Sequence, residues 1–321
     1  MENNIILDVV NLKKYYKLNS KKYLRAVDDV SFSVYEGETL GIVGESGCGK
    51  TTCGKTCMGI YKASDGQVFY KGKDVHKMSK KERRDFTKEV QMIFQDPYTS
   101  LDSHMKVYDI IAEGIRIQKL TSSKTEEKEI VFNMLKSVGL TEEHANRYIY
   151  EFSGGQRQRI GIARALAVNP ELIICDEPIS ALDCLIQSQI VNLLKKMKKE
   201  HNLTIMFIAH DISMVRYISD RIIVMYLGQV VEIAEADELC KNPLHPYTKA
   251  LINAVPIPDP KISKNRSEIT LQGEAASPIN PPKGCRFYNR CRYSKEECKN
   301  KDYKLVEVKK GHFKACCLTD E

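Results

Sequence analysis

Short apolar runs punctuate the N-terminal part of the chain: IILDVV (Ile5–Val10), SFSV (Ser31–Val34), TLGIV (Thr39–Val43) and GQVFY (Gly66–Tyr70). Runs of this length, alternating or continuous and rich in β-branched residues, predict strands. Glu36–Glu38 (EGE) predicts the turn between two of them. A helix is expected to open at Gly49, directly behind the third strand and a glycine-rich loop. From about Pro97 to Ala167 the apolar period becomes helical, as in Glu126–Leu140. Glu171–Cys175 then predicts a short buried strand that runs into Asp176 and Glu177. A helix over Ile186–Glu200 and a strand over Thr204–Ala209 follow, and Arg221–Tyr226 with Gln229–Ala234 predict a hairpin turning at Leu227–Gly228. Strands alternating with helices, with hairpins at both ends, predict an α/β core with an antiparallel flank.

Composition changes the picture late in the chain. Residues 256–283 hold many of the prolines and read as an extended linker, after which residues 284–321 form a small cysteine-rich appendix. With 321 residues, 42% hydrophobic and 28% charged, the chain has material for a sizeable core. The net charge of +7 arises from 49 basic and 42 acidic residues. That balance suits phosphates or an anionic membrane face and is too weak to indicate nucleic acid. The first residues lack the apolar core of a signal peptide, and no apolar run reaches transmembrane length. A cytosolic location is therefore expected, where thiols stay reduced.

Candidate chemistry begins at Gly44–Thr52, GESGCGKTT, which fits G-x-x-x-x-G-K-[ST] between a predicted strand and a predicted helix. Gly44, Gly47 and Gly49 allow the backbone to wrap closely, so that N–H groups of the stretch Gly44, Glu45, Ser46, Gly47, Cys48, Gly49 point at phosphate oxygens. Lys50 is placed to reach the β- and γ-phosphates and Thr51 to offer a hydroxyl to Mg²⁺, with Thr52 following. Asp176, at the end of a buried strand, needs a partner, and Mg²⁺ shared with Thr51 supplies one. Glu177 is positioned to polarise an attacking water as a general base. Cys48, beside a helix N-terminus, is expected to have a lowered thiol pKa and to be sensitive to oxidation or alkylation.

FSGGQRQR (Phe152–Arg159) carries a resemblance. Ser153, Gly154, Gly155 and Gln156 resemble the signature motif of ABC-type ATPases, at a helix start with Ser153 as N-cap. The other motifs of that family occur in order from Ile5 to Ala254. Gln95 resembles the Q-loop glutamine, which shares the Mg²⁺ site. Ser180, Ala181, Leu182 and Asp183 resemble the D-loop, His210 the switch histidine, and Tyr16, rather than Tyr15, the aromatic residue that stacks on adenine. The resemblance implies a P-loop NTPase of ABC type: a RecA-like core with an antiparallel β flank over residues 1–255, and a helical subdomain over about 97–167. It implies that the signature closes over the ATP of a second subunit, making two composite sites between head-to-tail chains.

Further stretches, among them MIFQDPYTSL, NPLHPYTKALINAVPIPDP and SPINPPKGC, are similar to ATPase subunits of oligopeptide and dipeptide importers, especially the F-type. This implies ATP hydrolysis coupled to peptide import at the cytoplasmic face of the membrane. The partners implied are a D-type ATPase subunit, two permease subunits and an extracytoplasmic peptide-binding protein. A nickel or other small-solute importer is the alternative, and a non-transport ABC ATPase is the more distant one.

The tail spacing C-x5-C-x6-C-x17-C matches neither short zinc knuckles nor a compact ferredoxin run. A short appendix poor in apolar residues needs a staple, and its ten basic against four acidic residues from Gly284 to Leu318 favour thiolates. Peptide-importer ATPases with this pattern include members holding a [4Fe–4S] cluster. Carried over, the ligands are Cys285, Cys291, Cys298 and Cys316, with Cys317 as a substitute; thiols without a metal are one alternative and Zn²⁺ as the metal is the other. Cys53, Cys57, Cys175, Cys184 and Cys240 read as small buried hydrophobes.

Overall fold

The computed structural model describes residues 4–255, 276–281 and 283–318. In chain order its elements are β1 (Ile5–Lys17), β2 (Tyr23–Tyr35), β3 (Thr39–Val43), α1 (Lys50–Cys57), β4 (Asp65–Tyr70), β5 (Lys73–Asp74), α2 (Lys80–Glu89) and β6 (Val90–Ile93). Then come α3 (Pro97–Ser100), α4 (Val107–Gln118), α5 (Lys124–Ser137), α6 (Gly154–Leu166), β7 (Leu172–Asp176), α7 (Cys184–His201), β8 (Thr204–Ala209) and α8 (Ile212–Ile218). Last are β9 (Arg221–Tyr226), β10 (Gln229–Glu235), α9 (Ala236–Lys241), α10 (Pro246–Asn253), β11 (Val306–Lys309) and β12 (His312–Lys314).

Two sheets organise these elements. The larger runs β11-β12-β10-β9-β3-β8-β7-β6, parallel from β9 to β6 and antiparallel beyond β9. The smaller, β2-β1-β4-β5, is antiparallel. Alternate residues of the parallel strands feed two separate cores, because successive side chains of a strand point to opposite faces. Leu40, Ile42, Leu172, Ile174, Met206, Ile208, Ile223 and Met225 pack towards the small sheet and α1. Ile173, Cys175, Ile205, Phe207, Ile222 and Val224 pack towards α4–α8. Burial on both faces explains why these strands read as continuous apolar runs.

The expected strands and helices between Thr39 and Ala234 are present, with ends shifted by a few residues. The first two strands are longer than their apolar pattern, since register shifts between β1 and β2 break the alternation after Val9. α2 adds a helix with a single buried residue, Phe86, started by a Ser79–Glu82 capping box.

The cysteine-rich tail does not hang free of the core. β12 pairs with β10 through Glu232↔Lys314 and Ile233↔Phe313, and β11 pairs with β12. Beneath this edge, buried Glu232 accepts from the Leu244 and His245 N–H groups and lies 2.8 Å from His312 Nε2. Most of the linker read over residues 256–283 lies outside the described residues. Its described end bridges the start of β2, through Leu24↔Ile279 and the Asn280 N–H donating to the Tyr23 carbonyl (3.0 Å).

Candidate functional site

β3 ends at Val43 and α1 starts at Lys50, and the six residues between them wrap a cradle. Gly47 (φ 77°) and Gly49 (φ 104°) hold left-handed conformations that side chains resist. At Gly49 space forbids one as well: a Cβ there would fall 2.0 Å from the Ala26 carbonyl oxygen. The loop thus fits between α1 and the β1–β2 ribbon only as glycine.

A cavity of about 240 Å³ opens beside this loop, lined by Tyr16, Leu24, Ala26, Ser46, Gly47, Gly49, Lys50, Thr51, Thr52, Gln95 and Glu177. Residues from four separated parts of the chain meet there. Tyr16 lines the wall in edge contact with Tyr61, and burial pushes its hydroxyl pKa upward. Tyr15 is turned away, donating its hydroxyl to Asp28. The Lys50 side chain is 3% exposed; its Nζ donates to the Gly44 (2.8 Å) and Glu45 (3.0 Å) carbonyls and lies 4.0 Å from the Glu177 carboxylate.

Thr51 Oγ1 donates to Asp176 Oδ1 at 2.7 Å. Asp176 is 1% exposed, and its second oxygen, Oδ2, has no hydrogen-bond partner among the described residues. Burial pushes the Asp176 carboxyl above the ordinary carboxylate value, against the lowering pull of the Thr51 hydroxyl. A buried carboxylate oxygen left open beside a threonine hydroxyl fits Mg²⁺, which is held in such sites by one or two protein oxygens together with substrate phosphates. Next in sequence, Glu177 has φ 45°, rare for a side chain of this kind, fixed by its N–H donating to the Ile208 carbonyl (2.9 Å). Gln95 Nε2 donates to Glu177 Oε2 at 2.7 Å. His210 follows β8 and is exposed.

The remaining motif residues stand apart from this cavity. Ser153 caps α6 in a capping box with Gln156. Gly155 lies against α7, where a Cβ would fall 2.6 Å from Ile186, and Gly154 faces Leu182. Ser180 Oγ donates to the Glu177 carbonyl (3.2 Å), and Asp183 caps α7. The stretch Ser180–Asp183 therefore links Glu177 to the helix that supports the signature.

Two expectations about thiols fail. Cys48 is buried, and burial pushes its pKa up despite the helix terminus and Lys50. Among the outlying cysteines, Cys53, Cys57 and Cys175 are buried as read, whereas Cys240 is partly covered and Cys184 is exposed.

The iron–sulfur reading of the tail is also corrected. Cys285, Cys291, Cys298, Cys316 and Cys317 face one small cavity, but its volume is about 10 Å³. Among the described residues no group of three or more His, Cys, Asp or Glu is placed to hold a metal ion, which denies zinc its ligand set as well. Burial pushes the Cys285 thiol up to about 12 and raises Cys291 and Cys316. Cys298 Sγ lies 3.7 Å from the Sγ of Cys317, the cysteine read as extra.

Sequence reasoning missed a third set of contacts, made by residues of the tail. Arg290 pairs with Glu45 of the loop, and Arg286 pairs with Asp28. No local spacing signals pairs more than two hundred residues apart.

Comparison with known proteins adds family evidence. A family profile described as "ABC transporter" matches residues 27–180, and one described as "Oligopeptide/dipeptide transporter, C-terminal region" matches residues 231–298. The chain is 51% identical to the putative oligopeptide transport ATP-binding protein YkfD of Bacillus subtilis, covering 98% of this chain and 95% of that protein. It is 58% identical to oligopeptide transport ATP-binding protein OppF of Bacillus subtilis over 81% of this chain and 86% of that one. Against OppF of Escherichia coli the identity is 48%, with 98% and 97% covered. Among solved structures, the dimeric post-hydrolysis state of the ATP-binding cassette MJ0796 bound to ADP and Pi matches with TM-score 0.66 and 29% identity, over 72% of this chain and 98% of that one. CbiO1 from Clostridium perfringens, part of an ABC transporter complex, matches with TM-score 0.66 and 30% identity, over 74% and 92%.

Proposed function

The chain belongs to the ATP-binding subunits of oligopeptide ABC transporters, and on that ground we propose that it binds and hydrolyses ATP to drive import of oligopeptides or dipeptides. The observation that carries this reading is the single cavity in which Tyr16, the Gly44–Thr52 loop, Gln95 and Glu177 meet, with Thr51 bonded to Asp176 beside it.

Each residue then has a task. Tyr16 offers its ring to adenine. Backbone N–H groups from Gly44 to Thr52, at the N-terminus of α1, receive the phosphates, and Lys50 turns from the Gly44 and Glu45 carbonyls towards them. Thr51, Asp176 and Gln95 are the residues that would hold Mg²⁺, whose bound charge offsets the negative charge gathering on the phosphates. Glu177 accepts a proton from the attacking water, and Gln95, already bonded to it, fixes its orientation. His210, at the end of β8, is assigned to the γ-phosphate.

The signature residues Ser153, Gly154, Gly155 and Gln156 lie outside this cavity, which supports a role at the nucleotide of a second chain. The reading therefore places two ATPase chains head to tail beneath permease subunits. The D-type partner and the extracytoplasmic peptide-binding protein are its finer claims. No helix among the described residues is long and apolar enough to cross a membrane, in keeping with a peripheral position on the cytoplasmic face. The division into residues 1–255, 256–283 and 284–321 belongs to the same proposal, with the last segment a cysteine-rich appendix docked on the sheet edge.

The test is peptide uptake by vesicles carrying the assembled transporter. ATP should drive accumulation of labelled peptide, and Lys50→Ala in this chain should abolish it. Uptake that persists undiminished in Lys50→Ala would refute the assignment.

A further inference from the structure

The cysteine-rich segment reaches the nucleotide loop directly. Arg290, at the end of the Tyr288–Arg290 turn, places Nη1 2.9 Å from Glu45 Oε2 and Nη2 3.0 Å from Glu45 Oε1. This is a two-pronged pair of the strong, orienting kind. Only 8% of the Arg290 side chain is exposed, and its Nε has no partner among the described residues. The guanidinium therefore bears a desolvation cost that its bonds to Glu45 offset.

Glu45 is held from other sides as well. Its N–H donates to the Tyr247 hydroxyl at 2.8 Å, and its carbonyl accepts from Lys50. Tyr247 is itself wedged against Tyr226 and Phe287, with ring centroids 4.7 and 5.5 Å away. Phe287 belongs to the same C-terminal segment as Arg290. Arg286 donates to Asp28 and to the Leu227 carbonyl. The Gly228 N–H in turn donates to the Cys48 carbonyl (2.8 Å). Of two arginines four residues apart, Arg290 thus holds the loop directly and Arg286 anchors the Leu227–Gly228 turn that bonds to it.

A loop built on glycines has many conformations to lose when it receives phosphates, and pre-ordering it removes that cost from binding. We propose that Arg290 is a positioning residue for the nucleotide loop, holding Glu45 so that the cradle is formed before nucleotide arrives. The C-terminal segment thereby sets nucleotide affinity. By reciprocity, nucleotide also steadies that segment. The inference rests on the ATP-binding reading above.

The test is calorimetric titration of the full-length chain with the Mg²⁺ complex of a non-hydrolysable ATP analogue, at a temperature where every variant is folded by circular dichroism. Arg290→Gln should weaken binding about tenfold, the scale of one charge-assisted pair, and Arg290→Lys should recover part of it. Tyr247→Phe keeps the aromatic packing, removes the hydroxyl that receives the Glu45 N–H, and should weaken binding several-fold. In a Glu45→Gln background, Arg290→Gln should add little. Wild-type affinity in both Arg290→Gln and Tyr247→Phe overturns the positioning role alone. A wild-type chain that binds no nucleotide overturns it together with the reading on which it rests. Full additivity of Glu45→Gln and Arg290→Gln would also overturn it, because the two side chains would then act independently.

Discussion

Asp176→Asn should make the nucleotide-free protein more stable while impairing it with Mg²⁺ and ATP. Asp176 is 1% exposed, and only one of its two oxygens is hydrogen-bonded, to Thr51. An unpaired buried polar atom costs about 1–3 kcal/mol, and more when charged. Asn keeps an oxygen for the Thr51 hydroxyl and replaces the open carboxylate oxygen by a neutral amide. The net gain expected is about 1 kcal/mol, or about 1–2 °C in the unfolding midpoint of a chain of this size. The effect has a pH signature. The folded Asp176 carboxyl titrates above its unfolded value, so the wild-type penalty is present above the folded pKa and relieved as pH falls through it. Thermal unfolding in chelator without nucleotide should therefore show Asp176→Asn ahead at pH 8 and the two proteins converging on acidification. With Mg²⁺ and ATP at a hundred times Kd the wild type should gain about 2.7 kcal/mol. The variant should gain much less, reversing the order. A variant that is less stable than wild type without nucleotide, or that gains the full increment with it, would refute the reasoning.

The loop and the tail supply further tests. Gly49→Ala must place a Cβ 2.0 Å from the Ala26 carbonyl oxygen at φ 104°. Chemical denaturation should show a loss of about 3 kcal/mol, and nucleotide titration should show no binding. His245 is buried, and burial lowers its pKa to about 4. The unfolded chain therefore takes up that proton first, and stability present above about pH 6.5 falls by about 3 kcal/mol towards pH 4. His245→Asn, which can still cap α10, should flatten this dependence in pH-resolved denaturation.

Local chemistry was the most legible part of the chain. The loop from Gly44 to Thr52 and the strand running into Asp176 and Glu177 each announce themselves within ten residues, because phosphate and metal chemistry needs those groups close together. Strands buried on both faces were equally plain, since Ile173, Phe207 and Ile223 have apolar neighbours on either side in sequence. Polar or irregular elements were not. α2 buries only Phe86, and bulges hide the length of β1 behind Asn11, Lys13 and Lys14. Contacts between distant parts left no trace in spacing: Arg290 with Glu45, Arg286 with Asp28, and His312 with Glu232. Cysteine count misled for a related reason. Five cysteines in a short tail suggested ligands, while their burial and the size of the space between them are properties of the packed chain.

The central claim is that this chain's own site hydrolyses ATP in the assembled transporter. Peptide-stimulated phosphate release from the reconstituted complex, with Glu177→Gln introduced in this chain alone, tests it most directly. General-base removal should lower the turnover of this chain's site at least about a hundredfold, while nucleotide binding, measured on the same sample, is retained. Unchanged phosphate release from the Glu177→Gln complex would contradict the account.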